Sequence, residues 1–517
     1  MRWVFIRPVN LSPYYDPEIQ EPLGIEYLDA ARRRHGDAVL LLDAAFEEAT
    51  ETSLGRRAAA FMPDAVGFSM TTAQDIESVL RIHASCREAL GANEPLWLAG
   101  GNFITCEFHQ AARRLPTCFT LVRFEGEQPL DELARDWSSG VRAAPALIEG
   151  RGVVRLDDCP FPVRPYAATM HERGWAFNLQ GSRGCCGACR YCSSPAMREA
   201  TSTGWRGRSV PNVVDEIEQL NRRFGTTGFN FIDEDFLGPD VSAASRARQF
   251  REEIHRRGLL VGFSVQVRPG SLSDAAIEDL AAAGLCYAFI GLESDDPKDF
   301  KYWGRPWVPQ VWRYVDALQR NGVQVEAGAM PFHPGATLAG IRRFATALQH
   351  HDLLNYRTAL NRMDAMPGSS LHRHGVAEGY LDPDRTGPQP LPLGDEQVRR
   401  MHENLERALA PLGPPSMHAV TSRPPLMADR RMASSTERRL IELNHIIRYL
   451  DAAVADTFFA LLSRHEVLEP DAARLVAEEL RAVNFGLSEQ ACRDLAKHGF
   501  VRSADELREA IRKDAHG

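Results

Sequence analysis

The sequence has no run of about 18 apolar residues, the length that a membrane-spanning helix requires. Its opening stretch MRWVFIRP is broken by Arg7 and Pro8 before it reaches the length of a signal-peptide core, so a cytoplasmic location is expected. An excess of positive charge is also missing. Sixty basic residues face 69 acidic ones, for a net charge of -9, which leaves no global field for nucleic acid. Paired cysteine hooks are absent from most of the chain: Cys86, Cys106, Cys118, Cys159, Cys286 and Cys492 stand apart and read as packing residues. What remains is a 517-residue chain with room for roughly two to four domains.

The other four of the ten cysteines fall within GSRGCCGACRYCSSP, residues 181–195. Cys185, Cys189 and Cys192 form a C-x3-C-x2-C pattern. A structural zinc site normally adds a second short hook or histidines at set offsets, and neither follows here. Three thiolates in a reducing compartment leave one position of a soft metal centre open to an exogenous ligand, which favours a reactive iron–sulfur cluster. Spacing alone leaves structural zinc and incidental cysteines as alternatives. Cys186 also permits C-x2-C-x2-C, and it is read as a neighbour of the ligands.

Before this loop, apolar strands are expected at 3–6, 39–43, 64–69 and 96–101, with helices at 24–35 and 75–90. Strands alternating with helices predict an α/β domain over 1–145, Rossmann-like and flavodoxin-like, with a parallel sheet whose strand ends bind ligand. Residues 146–171 form a connector. From 172 to 380 the chain alternates again, with strands expected at 175–179, 228–236, 262–268, 286–293 and 323–330 and a strand-like stretch at 356–363. About six such units suit a partial (β/α)6 barrel with reactive groups at the strand ends. Residues 381–517 predict a helical C-terminal domain, whose apolar face runs through Leu440, Leu443, Ile447, Leu450, Val454, Phe458 and Leu461. That domain either packs on the barrel or encloses substrate.

Several polar residues stand at the expected strand ends. Asp233, Glu234 and Asp235 form a run able to ligate a hard metal or hold an ammonium group. Arg268 closes an apolar strand and can neutralise a carboxylate. His333, in the loop GAMPFHPGAT, is a weak candidate for proton transfer. His35, His83 and His109 read as surface or packing residues.

The Cys185-x3-Cys189-x2-Cys192 loop, with Tyr191 before its last cysteine, resembles the signature of the radical S-adenosylmethionine (SAM) enzymes. The resemblance implies that these cysteines hold a [4Fe–4S] cluster and that SAM chelates its open iron and yields a 5′-deoxyadenosyl radical. It further implies SAM contacts at Tyr191, Asp233, Glu234, Arg268, Glu293 and Ser294. The N-terminal segments, with Pro22-Leu-Gly24, Ala99-Gly-Gly101 and Glu125-Gly-Glu127, resemble the cobalamin-binding domain of one large radical SAM group. This implies corrin contacts at Asn10, Leu11, Tyr14, Ser69, Thr71, Gly100, Gly101, Glu125 and Gly126. The D-x-H-x-x-G motif of mutase-type domains is missing, so no protein histidine on cobalt is expected. Methylation of an unactivated carbon or phosphorus centre in a specialised metabolite or peptide is the leading expectation, and a radical rearrangement, cyclisation, oxidation or epimerisation is the second. An external electron donor such as flavodoxin or ferredoxin is implied by the same resemblance.

Overall fold

The structure, a computed structural model, describes residues 1–8, 21–141, 144–413, 435–467 and 470–497. It divides into two compact units. The first comprises Met1–Arg173, Phe177–Gly225 and Ala365–Gln389, and the second comprises Gly174–Ala176, Thr226–Asp364 and Pro390–Gly517.

The first unit is built on six parallel strands: β1 (Arg2–Arg7), β2 (Ala38–Asp43), β3 (Ala65–Ser69), β4 (Leu96–Gly100), β5 (Phe119–Arg123) and β6 (Leu147–Glu149). Their order is β2-β1-β3-β4-β5-β6, which reverses between β1 and β3 and puts the topological switch point at the carboxyl ends of those strands. Both faces of the sheet are covered. Val4, Ile6, Val66 and Phe68 belong to one core cluster, and Trp3, Phe5 and Ala65 belong to the other. Burial on both sides explains why these strands read as continuous apolar runs.

Among the described residues, the helices that accompany the sheet are α1 (Leu23–Arg34), α2 (Glu51–Ala60), α3 (Asp75–Leu90), α4 (Asn102–Cys106), α5 (Phe108–Arg114) and α6 (Glu127–Ser138). Glu127 and Gln128 open α6. His83 is buried in α3 with its ring edge-on to Trp97 at 4.4 Å, and burial holds its imidazole below the usual range. His35 is exposed at the end of α1.

Further along this unit come β7 (Phe177–Leu179) and an antiparallel pair of two-residue strands, β8 (Ser182–Arg183) and β9 (Arg206–Gly207). The helix Val210–Phe224 follows, capped by the Ser209 side chain.

In the second unit, β10 (Gly228–Phe231), β11 (Gly262–Val267), β12 (Leu285–Glu293) and β13 (Gln324–Ala329) run parallel as successive neighbours. Each is followed by helix, beginning with Asp240–Arg256 after β10 and Asp274–Ala283 after β11. Phe231, Phe236, Phe250 and Phe263 form one aromatic core beneath β10 and β11, with ring centroids 4.6–6.4 Å apart.

The strand-like stretch expected at 356–363 is instead a short helix, Tyr356–Leu360. A capping box accounts for it: Asn355 accepts from the Thr358 N–H, and the Thr358 hydroxyl accepts from the Asn355 N–H. Strand geometry survives there as a single parallel bridge between Phe332 and Arg362.

The C-terminal region is helical, with Glu396–Leu409, Ser435–Val467 and Pro470–Lys497 packed on one another. The Asn484 amide joins all three by donating to Ala408 O at 2.8 Å and to the Thr457 hydroxyl at 3.0 Å. Ser435–Val467 also packs on Leu338–His350 and Tyr356–Leu360.

Candidate functional site

The pair β8–β9 forms the neck of a loop, residues 184–205, that carries all three motif cysteines. Cys185, Cys189 and Cys192 are half-buried and none is in a disulfide; Cys186 has the same character. The loop backbone is held at several points. The Gly187 N–H donates to Cys185 Sγ at 3.2 Å, and Cys192 N donates to Cys189 O. Arg198 donates to the carbonyls of Cys185 and Gly187. Met366 N donates to Tyr191 O, and Leu371 N and the Ser370 hydroxyl donate to Arg190 O. The 367–371 turn is therefore a clasp on the cysteine loop.

Among the described residues, no three His, Cys, Asp or Glu side chains converge as a metal site. The three half-buried thiols on this pinned loop, none in a disulfide, are of the chemical type that ligates iron–sulfur clusters.

A carboxylate at the end of the N-terminal sheet grips the neck. Glu125 Oε2 lies 3.0 Å from Arg183 Nη1, and its Oε1 lies 2.6 Å from Arg206 Nη2. Glu127 takes the other amino group of Arg183 at 2.7 Å. Burial pushes the Glu125 carboxyl up, but the Arg206 hydrogen bond and the Arg183 charge outweigh it and hold the group below the usual range.

Around the same edge, Ser69, Thr71 and Gly100 are half-buried and Gly101 is exposed, at the ends of β3 and β4. Small side chains at two adjacent strand ends leave room for a flat ligand. Gly101 also answers to the fold: its φ is 101°, and a Cβ there would meet Met70 O at 2.5 Å. The Thr71 N–H is already donated to Asp75 at 2.6 Å. Glu125 and Gly126 follow β5, with Glu125 engaged as above. Asn10, Leu11 and Tyr14 lie outside the described residues. Cys106, at the end of α4, is hydrogen-bonded to the side chain of Ser193 in the cysteine loop, and burial pushes its thiol up to about 11.

In the second unit, the run after β10 does not act as one cluster. Asp233 and Asp235 are buried, whereas Glu234 is exposed. Arg268 draws Asp235 away, at 2.7 Å, and also binds Asp240 at 2.8 Å and Gly238 O at 2.8 Å. Among the described residues these three carboxylates form no metal-ligating set.

Glu293 ends β12 with φ 67°, a left-handed backbone costing roughly 1–3 kcal/mol. Arg305 holds its carboxylate at 2.6 Å and donates to Gly291 O. Gly291 makes room, since a Cβ there would lie 2.6 Å from Glu293 Oε1.

Next along the chain, the Ser294 hydroxyl donates to Asp299 Oδ2 at 2.5 Å, and His333 Nε2 lies 3.3 Å from the same oxygen. Burial lowers the His333 pKa against the opposing charge of Asp299, and burial raises that of Asp299. These groups line a small open pocket of about 40 Å³ shared with Asp295, Met330 and Arg343. Asp299, Arg305, Arg183 and Arg206 stand in no sequence motif: Arg183 and Arg206 reach Glu125 across 58 and 81 residues, and Asp299 and Arg305 follow their partners by 5 and 12 residues without a repeating pattern.

The Radical SAM superfamily matches residues 179–348, and the B12 binding domain matches residues 17–134. An uncharacterized methyltransferase of Pyrococcus horikoshii is 26% identical over 327 residues, 58% of this chain and 66% of that protein. The anaerobic magnesium-protoporphyrin IX monomethyl ester cyclase of Synechocystis is 26% identical over 303 residues, 54% of this chain and 58% of that protein. Both matches thus span less than two thirds of the relative's length.

Among solved structures, the cobalamin-dependent SAM radical enzyme OxsB with aqua-cobalamin and SAM bound covers 100% of this chain and 80% of its own. Its TM-score is 0.72 at 15% identity. The radical SAM methyltransferase TsrM of Kitasatospora setae, with tryptophan substrate and a SAM analogue bound, covers 68% and 72% at TM-score 0.56 and 19% identity. At these identities the likeness establishes the fold. The chain thus carries a B12-binding domain followed by a radical SAM domain.

Proposed function

We propose that this chain is a cobalamin-dependent radical SAM methyltransferase acting on an unactivated carbon or phosphorus centre of a specialised metabolite or peptide. The observation that carries the reading is the attachment of the cysteine loop to the end of β5 in the B12-binding domain, through Glu125 and Arg183. When bound, a [4Fe–4S] cluster with SAM supplies a carbon-centred radical, and a corrinoid supplies a methyl group.

Cys185, Cys189 and Cys192 are the cluster ligands in this reading, and Cys186 is not. Asp233 offers a carboxylate for the SAM ammonium, and Glu293 and Ser294 offer polar groups to its remaining polar atoms. Arg268 acts indirectly, by holding Asp235. His333, its imidazole held below the usual range by burial, keeps its Nε2 3.3 Å from Asp299 Oδ2 and is able to exchange a proton there. An external flavodoxin or ferredoxin in the reducing cytoplasm is the electron source.

Anaerobic turnover with reductant, SAM and hydroxocobalamin tests the reading. S-adenosylhomocysteine and 5′-deoxyadenosine should both accumulate, with a methylated product. The cyclase among the relatives favours a second reading, radical chemistry without net methyl transfer. Deoxyadenosine without S-adenosylhomocysteine would select it.

A further inference from the structure

The three-cysteine loop is long, and its neck is only two residue pairs wide, Ser182 with Gly207 and Arg183 with Arg206. A ladder that short does not hold 22 intervening residues in register by itself. Both strands of the neck present an arginine, and both arginines converge on one side chain. Glu125 binds Arg183 through Oε2 and Arg206 through Oε1, and Oε2 also accepts the Val153 N–H at 2.7 Å. Arg206 returns to Val153 O at 2.6 Å, while Arg183 continues to Glu127 at 2.7 Å and to the Gln180 side chain at 2.8 Å.

The backbone beneath is equally tight, because a Cβ on Gly150 would fall 1.8 Å from Glu125 O. Glu125 and its two arginines are between 13% and 17% exposed, so these charge-assisted bonds are shielded from much of the screening that weakens surface pairs. With three hydrogen bonds on its two oxygens, the Glu125 carboxylate has little capacity left for a ligand.

We propose that Glu125 is a positioning residue for the cysteine loop: it closes the neck through Arg183 and Arg206 and so fixes the three thiols relative to the B12-binding domain. This rests on the cluster reading of the loop. Glu125 therefore contributes to the cluster's environment rather than to corrin binding, although it stands at the strand edge where corrin contacts are expected.

Thiol alkylation in reduced, cluster-free protein tests the clamp without any cofactor. Residue-resolved labelling of Cys185, Cys189 and Cys192 by iodoacetamide should be at least about tenfold faster in Glu125→Gln, because local opening is no longer opposed by the clamp. Glu125→Asp, which keeps the charge, should fall between that variant and the wild type. Cys86, buried beneath the N-terminal sheet, reports on the fold and should stay protected.

After reconstitution, Glu125→Gln should alter the electron paramagnetic resonance signal of the reduced cluster, while corrinoid affinity stays within about twofold of wild type, as expected of a carboxylate with three hydrogen bonds on its roughly four acceptor positions. If Glu125→Gln exposes Cys86, Arg206→Met replaces it. That variant keeps the Arg183 bridge and opens one strand of the neck, so loop labelling should rise with Cys86 still protected. Unchanged loop labelling in a folded variant overturns the proposal, as does a large loss of corrinoid affinity with the loop unchanged. A wild-type protein that holds no [4Fe–4S] cluster would overturn the functional reading and leave the labelling result standing.

Discussion

Arg164 donates to Glu216 at 2.7 Å, with side chains only 4% and 2% exposed, and thereby ties the connector to the helix that follows the cysteine loop. The same guanidinium binds Glu21 at 2.5 Å, and Glu216 also receives Arg208 at 2.5 Å. Glu21 further accepts from Asn178 N on β7, so one buried network joins the entry to α1, the connector, β7 and the helix Val210–Phe224. Glu216→Ala should destabilise the protein by about 3–5 kcal/mol, since two buried arginines lose a shared partner. Urea unfolding would measure it, and a change below about 1 kcal/mol would count the network as near-neutral.

The Asp75 carboxyl is pushed by burial up to about 6, against hydrogen bonds from the N–H groups of Thr72 and Thr71. A raised carboxylate pKa means that the folded state binds the proton more tightly than the unfolded chain. Stability is then favoured at low pH and falls as pH rises from the unfolded value near 3.8 through about 6. Relative to Asp75→Asn, wild-type stability should drop by up to about 3 kcal/mol between pH 4 and pH 7 and then level off. A flat difference across that range would show the shift to be absent.

Cys189→Ala should abolish the absorbance of the reconstituted cluster, and Cys186→Ala should retain it. The spacing admits either Cys185 or Cys186 as the first ligand, and iron counting on Cys185→Ala and Cys186→Ala decides it. Retention by Cys189→Ala would remove the cluster assignment.

Glu293→Gln keeps the shape at the end of β12 but weakens the hold of Arg305 on a strained backbone position. Misplacement of a positioning group by about 1 Å can cost on the order of a hundredfold in rate, so deoxyadenosine formation should fall by roughly that factor. Iron content should stay unchanged, because the cysteines lie elsewhere in the chain. Wild-type rates in the variant would exclude a role for this strand end in SAM cleavage.

Strands β1 to β4 were legible because they are buried on both faces, with Trp3 and Phe5 on one side of β1 and Val4 and Ile6 on the other, whereas the buried β5 was not read as a strand. Helices whose buried face is made of small residues were not. In α2 the buried positions are Leu54, Gly55, Ala58 and Ala59, with Gly55 so close to α3 that a Cβ would meet Ile82 O at 2.7 Å. Asp240–Arg256 likewise buries Ala243 and Ala247 beside Phe250 and Ile254, amid a largely polar sequence. Periodicity marks side chains by their apolarity, and close helix packing by alanine and glycine leaves little of it.

The sequence by itself determined the thiol set, because three cysteines within eight residues are local whatever the fold. It also determined the alternation of strands and helices that places polar residues at strand ends. Only the tertiary structure decided what those polar residues touch. Arg183 and Arg206 meet Glu125 from more than fifty residues away, Arg268 takes Asp235 out of the carboxylate run, and Ser294 and His333 converge on Asp299. Charge pairing depends on distances of a few ångströms, and sequence separation does not encode them until the sheets bring the strand ends together.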